Sequence, residues 1–294
     1  MKKWLAFVLA VVLLISLSAC GSGSADVQEP VSVSPEEETQ SASVEEKKAV
    51  TIEETVLLDE AGVKITAKSI NTDELFGTEI QLLIENNSGK NLTFQTRNAS
   101  VNGYMVETMM SVDVVDGKKA NDSLTFLSAD LEACGIETIA EMEFSIHIFT
   151  TEEWENYLDT PAIQLKTSAF DGFEYAFDDS GELAYETDGI RIVVRGLVED
   201  SIMGPGIVVY IENNSDIDFT VQTRDVSING FMADPIFSAD VLAGKRAVDT
   251  ITFLSSDLEE NGITSIDSVE LSFHIFDMEE WETIVDTEPV TIDF

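Results

Sequence analysis

Basic side chains are what this sequence has least of. It carries 16 Lys and Arg against 56 Asp and Glu, a formal charge of −40 over 294 residues. A surface so poor in cations repels phosphate, which excludes nucleic acid as a partner. Cysteine is equally scarce: Cys20 and Cys134 cannot build a disulfide-dense scaffold. The apolar run from Trp4 to Ala19 falls short of the roughly 20 residues a helix needs to cross about 30 Å of hydrocarbon. Gly-x-Ser-x-Gly, His-Glu-x-x-His and glycine-rich phosphate loops are all missing, so the expectation is a protein that is not an enzyme and uses no cofactor. What is present is apolar substance. With 44% hydrophobic and 8% aromatic residues the chain can pack cores, so a globally disordered polyanion is excluded.

Lys2 and Lys3 precede the Trp4–Ala19 run, the layout of a secretory signal peptide. The run closes on Leu17-Ser18-Ala19-Cys20-Gly21, which resembles the lipobox of bacterial lipoproteins. That resemblance implies cleavage after residue 19 and a diacylglycerol on Cys20. Each buried methylene then contributes about 0.8 kcal/mol to holding the protein on a cell membrane, extracytoplasmic side out. Residues 20–50 follow as an acidic tether. It holds Gly21-Ser22-Gly23-Ser24, Pro30, Pro35 and Glu36-Glu37-Glu38 but no aromatic, and cannot bury enough apolar surface to offset ordering.

The remainder is an internal repeat. Ile84-Glu85-Asn86-Asn87-Ser88 returns as Ile211-Glu212-Asn213-Asn214-Ser215, and Gln95-Thr96-Arg97 as Gln222-Thr223-Arg224. Thr125-Phe126-Leu127-Ser128, His147-Ile148-Phe149 and Trp154 return as Thr252-Phe253-Leu254-Ser255, His274-Ile275-Phe276 and Trp281. The offset is constant from residue 84 to 160, too long for a solenoid unit. The expected division is copy one at 51–167, then a connector and copy two at 168–294. Both copies are acidic, copy two more so.

Within each copy the apolar period is two. Val63, Ile65 and Ala67 form one inward row; Ile80, Leu82 and Ile84 another; Met142, Phe144, Ile146 and Ile148 a third. Asn102-Gly103, Asp116-Gly117 and Asp188-Gly189 are turn signals between extended runs. Seven or eight such strands per copy predict an all-β fold: two tandem immunoglobulin-like β-sandwich domains, each with one or two short helices. One helix is expected over Ser128–Gly135. A second is expected from a capping box at Thr150-Thr151-Glu152-Glu153, placing Trp154, Tyr157 and Leu158 on one face as a lid or as ligand-binding aromatics. With its lipobox, acidic tether and repeated Ile-Glu-Asn-Asn-Ser and Asn-Gly signatures, the chain resembles Firmicute surface lipoproteins with telokin-like, immunoglobulin-like extracellular domains. The resemblance implies a surface location and a sandwich fold, and carries over no catalytic residue.

Candidate binding residues are few. Arg97 and Arg224 occupy equivalent places in an acidic chain; each either pairs across strands with Glu85 or Glu212, or recognises an acidic ligand group. Phe170, Phe173, Tyr175 and Phe177 in the connector either pack between the domains or form a partner-binding patch. His147 and His274 supply one imidazole per copy, too few for a metal site. Asp113, Asp116 and Gly117 hint at a calcium loop, but Asp116 is replaced by Ala243 in copy two. Cys134 aligns with Asn261, which points to a near-surface free thiol. The expected function is a lipid-anchored binding or interaction protein for a surface protein or glycan. A solute- or cation-binding lipoprotein is the alternative, and an extracytoplasmic hydrolase the remote one.

Overall fold

The structure is a computed structural model and describes residues 50–199 and 203–294. The signal peptide, Cys20 and nearly all of the tether lie outside the described residues. The fold is all-β and sandwich-type, its strands antiparallel but for one parallel contact. No helix among the described residues is long and apolar enough to cross a membrane.

Copy one contributes β1 (Thr55–Glu60), β2 (Val63–Glu74), β3 (Gly77–Asn86), β4 (Leu92–Val101), β5 (Tyr104–Met105), β6 (Thr108–Met109), β7 (Ser111–Val114) and β8 (Lys118–Leu127). Helix α1 (Ser128–Ala133) and strands β9 (Glu141–Thr150), β10 (Asn156–Asp159) and β11 (Ile163–Lys166) complete it. Its first sheet has the order β1-β2-β3-β8-β6; its second is built on β10-β9-β4-β5, with β7 against β4 and β11 against β9. Copy two repeats the plan with β12 (Glu182–Thr187), β13 (Ile190–Val198), β14 (Gly206–Asn213), β15 (Phe219–Ile228), β16 (Phe231–Met232), β17 (Ser238–Val241) and β18 (Arg246–Thr252). Then come α2 (Ser255–Glu260), β19 (Ser268–Asp277), β20 (Thr283–Asp286) and β21 (Val290–Asp293). Strands outnumber the seven or eight expected per copy because short edge segments supplement the long ones.

The period-two rows become burial. Ile80, Leu82 and Ile84 meet Phe94, Phe126, Phe144, Ile146 and Ile148 in one core. Ile207, Val209, Ile211, Phe219, Phe253 and Phe273 form a second, equivalent core. Burying each such side chain contributes about 1.5–3 kcal/mol. Asn102 and Gly103 have φ of 50° and 84°, and Asn229 and Gly230 repeat the pair at 51° and 85°. This double left-handed conformation matches the twist of the flanking strands, which is why Asn-Gly marks the hairpin.

Two asparagines per copy pin the loops. Asn86 is wholly buried; its Nδ2 donates to the carbonyls of Lys90 (2.8 Å) and Val114 (2.7 Å), and its Oδ1 accepts from Ser88 N (3.0 Å) and Oγ (2.7 Å). Asn213 makes the same four bonds to Ile217, Val241 and Ser215. Asn102 ties the hairpin to the start of β9 through Thr138 O, Ala140 N and Glu141 N. The Ile-Glu-Asn-Asn-Ser signature is thus a buried polar clamp, placed where turn and sheet backbone would otherwise be unsatisfied.

The helix expected from the Thr150 capping box does not form. Thr150 ends β9, and Trp154 N reaches back to Thr150 O (2.9 Å) to close one turn. Trp154 then sits at φ 61°, a left-handed conformation that stops a helix. Asn156, Leu158 and Asp159 instead pair with Phe149, Ile148 and His147 as β10. The capping groups still act: Thr150 Oγ1 accepts from Glu155 N, and Asp277 from Glu279 N and Glu280 N. What wins is sheet pairing, which buries part of Tyr157 and Leu158 against the copy-one core.

The copies meet along an edge. Arg246 on β18 aligns in parallel with Tyr104 on β5, Arg246 N donating to Gly103 O (3.0 Å), so copy one's second sheet and copy two's first run on as one. Tyr104, Cys134, Val193 and Tyr210 are buried together at this junction. Cys134 is therefore interior, contrary to the near-surface expectation; burial first, and then the Asp130 charge, push its thiol up to about 12. An asparagine at the matching place in copy two misleads because only copy one's version of this surface is covered.

Candidate functional site

Strand register assembles one polar row on the outer face of each second sheet. Ser111, Gln95, His147 and Asp159 lie opposite one another on β7, β4, β9 and β10. Gln95 Nε2 donates to Ser111 Oγ (3.3 Å), and His147 Nδ1 meets Asp159 Oδ1 at 2.5 Å. Copy two builds the same row from Ser238, Gln222, His274 and Asp286, with Gln222–Ser238 at 3.3 Å and His274–Asp286 at 2.6 Å. The imidazoles are largely covered, not exposed as single free histidines. The hydrogen bond from His147, reinforced by Asn156 and the charges of His147 and Arg97, holds Asp159 below the usual carboxylate range.

Above each row stands an aromatic stack. His147 lies 5.2 Å from Phe149, and Phe149 lies 5.3 Å from Trp154 at an interplanar angle of 19°. In copy two the corresponding separations are 5.1 Å for His274–Phe276 and 5.7 Å for Phe276–Trp281. Phe149 and Phe276 are buried on what would otherwise be a solvent face, each under an indole. The indoles themselves are 73% and 75% exposed. Both tryptophans hold positive φ, 61° and 59°, which costs a bulky side chain on the order of 1–3 kcal/mol.

Arg97 and Arg224 sit at equivalent β-bulges, each followed by a left-handed residue, Asn98 or Asp225. Neither pairs with Glu85 or Glu212 as expected, because β3 and β4 belong to different sheets. Glu85 is bonded by Lys119, and Glu212 by Arg246 (2.6 Å). Arg224 turns to Asp286 (3.2 Å), joining the His274 row. Arg97 acts on Asp159 through its charge and also lines a cleft of about 240 Å³ between the copies. Glu107, Asp130, Asp240 and Asp249 share that cleft. Burial, then neighbouring acidic charge, raises Glu107 above the usual carboxylate range. Burial likewise raises Asp130 and Asp249, each against a backbone N–H bond that lowers it.

The connector aromatics are brought together in part. Phe177 packs edge-on to Tyr104 (5.5 Å) under the Arg246 guanidinium, 3.7 Å from its ring centre. Tyr175 stacks on Phe177 and donates to Glu141 (2.8 Å); burial and that bond push its hydroxyl up to about 12. Phe173 meets Tyr175 edge-on, and Phe170 lies under Lys166 (3.7 Å). Lys245 of copy two pairs with Glu143 of copy one (2.9 Å). The calcium hint dissolves: Asp113 accepts from Thr93 Oγ1 (2.6 Å) and Asp116 from Gly89 N (2.8 Å). Copy two has no side chain at Ala243 to repeat the Asp116 bond, but Asp218 accepts from Ala243 N as Asn91 accepts from Asp116 N in copy one. Among the described residues no group of three or more His, Cys, Asp or Glu is arranged to hold a metal.

The His–Asp pairing was missed in the sequence because histidine and aspartate lie 12 residues apart on strands joined by an unforeseen turn. The return of His, Trp and Asp at one offset was the signal available. No family model and no curated protein matches the chain. Among solved structures, the crystal structure of the YadV chaperone aligns with 79% of this chain and all of its own, at 10% identity and a TM-score of 0.26. A likeness at that level carries no functional argument.

Proposed function

We propose that this is a lipid-anchored extracytoplasmic binding protein, not an enzyme, whose two copies present one equivalent contact face each: the polar row topped by Trp154 in copy one and by Trp281 in copy two. The observation that carries the reading is the duplicated stack, which ends in an indole open on one side and held in an unfavourable backbone conformation in both copies. A face needed only to cover Phe149 would not require the rest of its row to be repeated. Two equivalent faces on one chain raise avidity through effective concentration. The lipobox resemblance at Cys20 and the acidic tether support anchoring. Cys20→Ala is expected to release the protein into the medium; retention and processing like wild type would refute the anchor. Cross-linking on living cells tests the faces: partner capture should fall in the Trp154→Ala/Trp281→Ala variant, and unchanged capture refutes them.

A second reading, solute or cation binding, draws on the acidic cleft between the copies. Calorimetric titration with calcium and small cations tests it, and no heat counts against it.

A further inference from the structure

The partner's chemistry can be read from what surrounds the two indoles. Trp154 is flanked by Glu152, Glu153 and Glu155, and Trp281 by Glu279, Glu280 and Glu282, all exposed. Among the described residues none of these six carboxylates is ion-paired. Each indole has one face on a phenylalanine and the other toward solvent. The open face of an indole carries the negative lobe of its quadrupole, the best aromatic seat for a cation. Carboxylates around it strengthen that preference and disfavour anionic ligands.

Resting on the contact faces proposed above, we propose that the occupant is a basic segment of a partner protein, its lysine ammonium groups seated on the open indoles among the flanking glutamates. A basic segment brings spaced cations that can meet an indole and its flanking carboxylates together, which a single small ammonium compound does not. The faces are unequal. In copy one Lys90 shares a shallow depression with Glu152, Glu153 and Glu155 and competes for them. At the matching place copy two has Ile217, and the following residue is Asp218 where copy one has Asn91. The Trp281 face is therefore the stronger of the two.

The test is titration of the full chain with a synthetic oligolysine peptide, followed by calorimetry at fixed ionic strength. An acidic protein attracts polylysine anywhere, so the decisive variants leave charge untouched. Trp154→Ala/Trp281→Ala should lose about tenfold or more in affinity, Trp281→Ala alone should cost more than Trp154→Ala, and the double Phe variant should fall between. Equal affinity in the double Ala variant would overturn the proposal, since binding would then be diffuse attraction. Should the Ala variant fail to fold by near-ultraviolet circular dichroism, Glu279→Gln/Glu280→Gln/Glu282→Gln decides. It should weaken binding about threefold more than matched removal of the exposed acids Asp171, Glu174 and Glu182; an equal loss overturns the proposal. If partner capture on cells depends on the tryptophans but oligolysine binding does not, the cationic chemistry fails and the contact faces stand. If neither depends on them, both fail.

Discussion

Replacing Asn86 by alanine removes a wholly buried side chain and four hydrogen bonds, the one to Val114 deep in the interior. The Val114 carbonyl loses a donor at 2.7 Å in the interior. Ser88 N loses its acceptor, while Ser88 Oγ keeps the Lys90 carbonyl at 3.2 Å. Leaving a buried polar group unpaired costs about 1–3 kcal/mol, so the buried Val114 bond, the partly buried Ser88 bond and the lost packing together predict destabilisation of about 2–4 kcal/mol. That is a large share of the roughly 5–15 kcal/mol that holds a folded domain. Urea unfolding of the full chain, followed by circular dichroism, measures it, and Asn213→Ala should match it in copy two. Asn86→Asp keeps the acceptor but loses both donations and buries a charge. Its penalty should be greatest near neutral pH and shrink as acid neutralises the carboxyl. A loss below about 1 kcal/mol for Asn86→Ala, or an aspartate variant as stable as wild type at pH 7, would refute the clamp.

Gly77 has φ of 142°, and a Cβ there would run into the Phe126 carbonyl; Gly204 repeats this against Phe253. Gly77→Ala is therefore expected to cost more than about 3 kcal/mol, checked by thermal unfolding. Asp249 faces Glu107 and Asp130 across the junction with its carboxyl raised by burial. Such a group disfavours the folded state above its folded pKa and is neutral below its unfolded value near 4, so Asp249→Asn should raise stability at pH 7 and lose that advantage below about pH 4. The Cys134 thiol, buried and held near 12, should resist thiol reagents in the native protein and react once urea unfolds it. Rapid native labelling would contradict the junction as described.

Much of the fold was legible because its determinants are local. Rows such as Met142, Phe144, Ile146 and Ile148 carry their own period, and Asn102-Gly103 carries its own turn. Helix α1 was legible for the same reason: Gly135 at φ 66° stops it, with Ile136 N closing back on Leu131 O. The lid helix was misread because a capping box describes only the first turn. Whether a second follows depends on whether Tyr157 and Leu158 gain more from a helix or from pairing with β9, and no local pattern records that. The Arg97–Glu85 pairing failed at a longer range still. β3 and β4 are neighbours in sequence yet fall on opposite sheets, so adjacency along the chain is a poor guide to adjacency across the sandwich.

The duplication separates two kinds of position that one copy alone would confuse. Several of the differences between the copies map onto their junction. Tyr104 is buried there and its counterpart Phe231 is 48% exposed; Tyr210 is buried there and corresponds to half-buried Leu83. Cys134 and Asn261 differ for the same reason. Each copy turns a different side toward the other, so one surface of each pair is relieved of solvent and the other is not. Where the copies agree on an outer face, neither core nor junction accounts for it. The Gln–His–Asp row, the bulge arginines and the two strained, exposed tryptophans are positions of that kind. Both copies carry a strained backbone at the tryptophan where glycine or asparagine would fit the turn more easily, a feature that folding alone does not require.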